Sequence, residues 1–241
     1  MSGPERSSRD SETARAERLL AAHGGFLLDL ARESIRAAVT GGPEPERRNI
    51  PDALCNDGAS FVTLTTREDG HLRGCIGSAT PCRPLALDVA ENARAAALRD
   101  SRFLPVSPGD LPHLALEVSI LSRAVALPVR SEADLISRLV PGEDGLILTD
   151  GPRRALFLPQ VWDQIPDPQD FVDHLKQKAG LRQSEWPPGI RVHTFAARSV
   201  TCATPWTQAR SPVRIAPNAA AGDPPRPPGQ RRLHHPGAND V

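Results

Sequence analysis

The stretch Phe61–Ser78, FVTLTTREDGHLRGCIGS, sets the tightest limit on what this chain folds into. Two alternating runs meet across the polar turn Glu68-Asp69-Gly70, a pattern that predicts a β-hairpin. Side chains alternate along a strand, so the second arm directs Leu72 and Ile76 toward a core and His71, Arg73 and Cys75 to the other face. Gly74 and Gly77 bracket the thiol and remove side-chain bulk on both sides of it.

The rest of the chain supplies what a hairpin packs against. Phe26, Leu27, Leu30, Ala31, Ser34, Ile35 and Ala38 recur at helical spacing, predicting an amphipathic helix that ends near Thr40-Gly41-Gly42. Before it, residues 1–22 are polar and charged and read as a flexible extension. After the hairpin, Thr80 to Pro84 opens a second helix, whose stripe Leu85, Val89, Ala93, Ala96, Ala97 suits close packing on a sheet. Leu114–Leu121 (LALEVSIL) alternates and predicts a strand with Leu116, Val118 and Ile120 on one face. Ser131 caps a short helix. A second hairpin turns at Asp150-Gly151-Pro152-Arg153. Pro168–Ala179 is a helix stopped by Gly180, with Phe171, Val172 and Leu175 inward and Asp170, His174 and Lys178 outward. Ile190–Phe195 is the last expected strand. From residue 203 to 241 apolar periodicity disappears into Pro, Gly, Ala and Arg, the composition of a disordered tail.

Composition excludes more than it identifies. The 241 residues are 39% hydrophobic and 24% charged, enough for a substantial core. Formal charge is zero, so bulk electrostatics favour neither nucleic acid nor a membrane surface. No apolar run reaches the roughly 18–20 residues that span a bilayer, and the charged start MSGPERSSRDSETARAER has no signal segment, which points to the cytoplasm. Cys55, Cys75, Cys82 and Cys202 form no CxxC pair and no zinc-ligand spacing; free thiols are expected in that compartment. Only Lys176 and Lys178 are lysine among 29 basic residues. A lysine kept against such a bias is a candidate for a role arginine does not fill; chance on a solvated helix is the competing reading.

FVTL…LRGCIG, followed by PLALDVAENARAAALRDSRFLPV, LEVSIL, PGEDGLIL, LFLPQVW and LKQKAGL…W, resembles the AMMECR domain family, and within it the bacterial members called AmmeMemoRadiSam system protein A. The resemblance runs from about Phe26 to Arg198, so residues 23–202 are expected to form the domain. It implies an α/β fold of the α+β type: a mostly antiparallel sheet with flanking helices, a larger and a smaller subdomain, and LRGCIG near the cleft between them. It also implies a Memo-like protein and a radical S-adenosylmethionine protein as partners. No cofactor, metal site or defined reaction follows from it.

The candidate chemistry centres on Cys75. A thiolate is a nucleophile when a cation or a helix N-terminus is near; Arg73 and the helix starting near Pro84 are the candidates, and a buried thiol packed between glycines is the alternative. Arg73 suits an anionic ligand or a salt bridge between subdomains, with Gly74 and Gly77 as backbone lining. Asp100 and Arg102 are expected to form or orient such a bridge between subdomains, in a structural role. His174, at one turn from Lys178, is the candidate general base if its face lines the cleft, with Lys178 as anion anchor; a solvated face is the alternative. The expected function is to bind an anionic small molecule or a modified macromolecular substrate around Arg73-Gly74-Cys75-Ile76-Gly77, as a Cys-dependent enzyme or as a binding subunit. A non-enzymatic adaptor, or an RNA-associated module using the basic tail, is the second expectation.

Overall fold

The computed structural model describes residues 4–45, 49–202 and Trp206. In chain order the elements are α1 (Pro4–Thr40), β1 (Asp57–Gly58), β2 (Ser60–Thr66), β3 (Leu72–Gly77), β4 (Arg83–Pro84), α2 (Leu85–Leu98), β5 (Leu114–Leu121), β6 (Val125–Ala126), α3 (Glu132–Ile136), β7 (Gly145–Asp150), β8 (Arg153–Phe157), α4 (Pro168–Lys178), β9 (Arg191–Phe195) and β10 (Ala197–Thr201). Two four-stranded antiparallel sheets form, ordered β10-β5-β2-β3 and β6-β9-β7-β8, with β1 and β4 paired separately. No helix among the described residues is long and apolar enough to cross a membrane.

Each sheet has its own core. Val62 and Leu64 of β2 and Leu116, Val118 and Ile120 of β5 meet Leu27, Ala31 and Ile35 of α1 and the Leu85–Ala97 stripe of α2. Alanine on α2 brings that helix close to β3. A Cβ added at Gly74 would lie 2.2 Å from the carbonyl oxygen of Ala96, so only glycine fits without a backbone shift. In the second core Leu146, Leu148 and Val192 pack against Leu135, Phe171, Val172 and Leu175. Trp162 stacks on Phe171 with ring centroids 3.7 Å apart and donates its indole N–H to the Asp144 carbonyl at 2.7 Å. A larger and a smaller α+β lobe result, as the resemblance implies.

Several expectations meet a different structure. Residues expected as a flexible extension belong, from Pro4, to the 37-residue α1. Ala16 and Leu20 are buried in the first core, and Glu5, Arg9 and Glu17 pair with Arg138, Asp144 and Arg198. These partners are remote in sequence, so no local pattern marks the segment as folded. Leu72, expected inward, is 39% exposed. Leu64 pairs with Gly74 but Thr65 pairs with Leu72, so Arg73 is an extra residue and the alternation shifts there. A further strand, β10, follows Phe195 and pairs with β5. Trp206, in the stretch expected as tail, is buried in the first core and donates to the Leu114 carbonyl at 2.6 Å. The remainder of that stretch lies outside the described residues.

Candidate functional site

β3 is an edge strand, so Cys75 shows its N–H and C=O away from β2. An open edge is a template for unwanted pairing, and here two side chains occupy it. The Cys75 N–H donates to Asp100 Oδ2 at 2.8 Å, and the Cys75 carbonyl accepts from Arg102 Nη2 at 3.2 Å. Asp100 and Arg102 are joined to each other by bonds of 2.7 and 2.9 Å. The ion pair thus imitates one residue of a neighbouring strand. It also puts a guanidinium beside Cys75, with its side chain 55% exposed while that of Asp100 is buried.

The thiol itself is half-buried. Thr63 Oγ1 donates to Cys75 Sγ at 3.3 Å across the β2–β3 pair. The register extends this row: Thr63 pairs with Glu117, and Glu117 with Thr201. Directly paired residues share a face, so Cys75, Thr63, Glu117 and Thr201 form a polar line across four strands, on the side away from α1 and α2. Glu117 lies two strands from Cys75, about 10 Å by strand spacing, and accepts from Ser119 Oγ at 3.2 Å. Sequence reasoning missed Thr63 and Glu117, although a glutamate within LEVSIL was the visible signal.

The other expected site residues are placed elsewhere. Arg73 donates to the carbonyls of Leu104 at 2.6 Å and Pro105 at 3.4 Å and pairs with Asp110 at 3.6 Å. It ties down the loop after α2, and the guanidinium bonded to Cys75 belongs to Arg102. Gly74 lies under α2, and Gly77 lies against Phe61, whose ring a Cβ would meet at 2.2 Å; both glycines are explained by close packing. His174 Nδ1 is 2.8 Å from the Asp170 carbonyl on its own helix, in the second lobe, and is not hydrogen-bonded to Cys75. Lys178 donates to the Leu156 carbonyl at 3.1 Å and lies over the Phe157 ring. The first turn of α2, which starts at Leu85, reaches Ser78, three residues beyond Cys75, through Asp88. There the buried Asp88 accepts from the Ser60 N–H at 2.9 Å, the Ser60 hydroxyl at 2.7 Å and Asn92 Nδ2 at 2.9 Å, and from Ser78 Oγ. Thr80 then accepts from Arg154 at 3.2 Å, linking the segment after β3 to the second lobe. None of the four cysteines forms a disulfide. Among the described residues no three His, Cys, Asp or Glu side chains are grouped to hold a metal ion.

Arg102, opposed by burial and assisted by the Cys75 N–H, holds the Asp100 carboxyl well below the usual carboxylate range. A depressed carboxyl contributes stability that is complete above its ordinary value of 3.8 and lost as pH falls through the folded value. The stability gap between wild type and Asp100→Asn should therefore stay level from neutral to mildly acidic pH and narrow below that ordinary value. Urea denaturation across the range tests this; a gap unchanged in strong acid would show that the charge of Asp100 contributes nothing.

The family model for AMMECR1 matches residues 28–200. A protein from Thermofilum pendens is 36% identical over 200 residues, covering 78% of this chain and 93% of the relative. One from Thermotoga maritima is 40% identical over 154 residues, covering 63% of this chain and 82% of the relative. The crystal structure of protein PH0010 from Pyrococcus horikoshii is similar with a TM-score of 0.65 at 31% identity, covering 78% of this chain and 96% of that one.

Proposed function

The chain belongs to the AMMECR1 family, and from that premise we propose that it binds an anionic small molecule, or the anionic group of a modified macromolecular substrate, where Cys75 and Arg102 meet. The supporting observation is the anchoring of a half-exposed guanidinium on the Cys75 carbonyl by a buried carboxylate. Arg102 keeps exposed donors for a carboxylate or phosphate, and Asp100 removes the freedom the side chain would otherwise lose on binding. Cys75 Sγ, oriented by Thr63, then borders the bound group. In this reading the protein works beside the Memo-like and radical S-adenosylmethionine partners, with the thiol as a contact or as a nucleophile on the bound substrate. His174 takes no part in it.

Alkylation of Cys75 by iodoacetamide, followed by mass spectrometry, tests the reading with inorganic phosphate and citrate as probes. Each anion should slow modification of Cys75 but not of the exposed Cys82, and Arg102→Ala should abolish the protection while the fold melts cooperatively. A cellular assay of partner-linked function should fail with Cys75→Ser if the thiol is the nucleophile, and survive if it is only a contact. Equal alkylation rates with and without both anions would sink the proposed site.

A further inference from the structure

Among the described residues two large hydrophobic side chains stand exposed, Leu72 and Leu104, and Leu104 is 83% exposed. They are not scattered. Arg73, next to Leu72 in the chain, donates to the Leu104 carbonyl at 2.6 Å and to that of Pro105 at 3.4 Å, so both leucines flank one guanidinium. The loop that carries Leu104 is pinned. The Phe103 N–H donates to the Asp100 carbonyl at 3.1 Å, the Val106 N–H to the Ala97 carbonyl at 2.8 Å, and Asp110 pairs with Arg73 at 3.6 Å. Apolar side chains held out together within a polar rim mark a contact surface, because covering them recovers the free energy of burial.

The order of charges along β3 indicates what fits there. Glu68 and Asp69 are exposed in the turn that precedes the strand, with His71 beside Asp69. Arg67 of the same turn donates to the Leu114 carbonyl of β5 at 3.0 Å, on the far side of β2 from this edge. Leu72 and Leu104 come next. Arg102, on the Cys75 carbonyl, ends the row. The sequence along the edge is therefore carboxylates, two leucines, guanidinium. Asp69 precedes Leu72 by three residues and Cys75 follows it by three. A two-fold axis near Leu72 thus lays the acidic end of one copy over the basic end of another and brings the leucines together, the self-complementarity that a two-fold contact demands. A formal charge of zero adds no long-range repulsion between copies. We propose that this edge is the contact surface of a homodimer, with Leu72 and Leu104 of both copies at its centre and Glu68 of each copy against Arg102 of the other. The contact runs through side chains, since Asp100 and Arg102 already hold the Cys75 N–H and C=O that strand pairing would use. It also regulates the anion site proposed above, and only this consequence rests on that reading: the carboxylate of the second copy takes the Arg102 donors that a free anion would use.

Sedimentation equilibrium of the full chain in chloride buffer tests the assignment. A reversible monomer–dimer equilibrium is expected with nothing larger, since a two-fold contact closes on itself. Leu104→Ser, at a position too exposed to disturb folding, should weaken dimerisation roughly a hundredfold or more, because each dimer loses two buried leucines. Glu68→Arg and Arg102→Glu should each weaken it as well. Mixed together, these two chains should form a heterodimer, because every pole then meets its opposite. Where Arg102→Glu does not melt cooperatively, Leu104→Ser and Glu68→Arg decide. Inorganic phosphate should dissociate the wild-type dimer at an ionic strength where chloride does not. A protein that stays monomeric at every concentration overturns the proposal, as do assemblies that grow beyond two copies, a dimer indifferent to Leu104→Ser or Glu68→Arg, and cooperatively melting charge variants that fail to pair on mixing. A dimer that phosphate leaves intact overturns the link to the anion site alone. Protection of Cys75 by phosphate in a protein that is always monomeric overturns the dimer and leaves the anion site.

Discussion

Asp88→Ala is expected to cost about 3–5 kcal/mol, a large part of the total stability of a domain. The carboxylate is completely buried. Its Oδ2 accepts from the Ser60 N–H, the Ser60 hydroxyl and Asn92, while Oδ1 accepts from Ser78 and pairs with Arg83 at 3.1 Å. Alanine leaves several buried donors without an acceptor, and each carries a desolvation penalty that nothing nearby relieves. Asp88→Asn should be milder. Its amide oxygen can keep the Ser60 and Asn92 bonds, and its NH2 can donate to Ser78 Oγ, leaving mainly the loss of charge opposite Arg83. The network staples the open end of the β2–β3 hairpin to the first turn of α2, so Asp88→Ala should also expose Cys75 to faster alkylation. Urea denaturation of the two variants measures the effect. A loss below about 1 kcal/mol for alanine would mean that water takes the place of the carboxylate and the staple is dispensable.

How far such a network was legible shows where local pattern stops carrying information. The alternation of FVTLTT and LEVSIL and the alanine stripe of α2 sufficed to place β2, β5 and α2, because each is decided by burial on one face of one element. Phe171, Val172 and Leu175 are the inward face of α4 for the same reason. Groups satisfied by distant partners escaped. The sequence puts Arg73 two residues from Cys75 on the same strand face, and only the bulge at Arg73 and the loop after α2 assign Arg102 to the Cys75 carbonyl instead. The N-terminal half of α1 is polar along its length, and its anchors, Asp144 and Arg198, lie beyond any local window. β10 carries one large apolar residue, Val200, which packs toward Gly24 of α1; a period cannot be read from a single apolar residue. Trp206 is likewise one buried side chain in a stretch whose composition is otherwise that of a tail. His174 and Lys178 do share the outer face of α4, as their spacing requires. Spacing fixes a face, however, not what the face meets.

Lys176 falls one turn after Val172 on the inward face of α4, and its replacement by alanine is the second large effect expected, again about 3–5 kcal/mol. The side chain is completely buried, with Nζ 2.7 Å from Glu132 of α3 and 3.1 Å from Asp173, and it donates also to the Gln183 carbonyl. One ammonium therefore holds α3, α4 and the segment after α4 together. Arginine would bring a planar fork into a space that admits a single point charge, which is a physical reason for lysine in a chain that otherwise prefers arginine. Alanine removes the apolar stem, opens a cavity and leaves Glu132 and Asp173 facing each other without a cation. Lys176→Met separates these contributions, since it keeps the stem and removes only the charge. It should recover part of the loss and still sit roughly 2 kcal/mol below wild type. Adding Glu132→Gln to Lys176→Met should then recover part of that loss, because one of the two carboxylates left without the cation is gone and Asp173 remains. Denaturation of the three variants decides the matter: a Lys176→Met protein as stable as wild type would mean that the lysine is held for its stem, and that its charge contributes nothing to the second lobe.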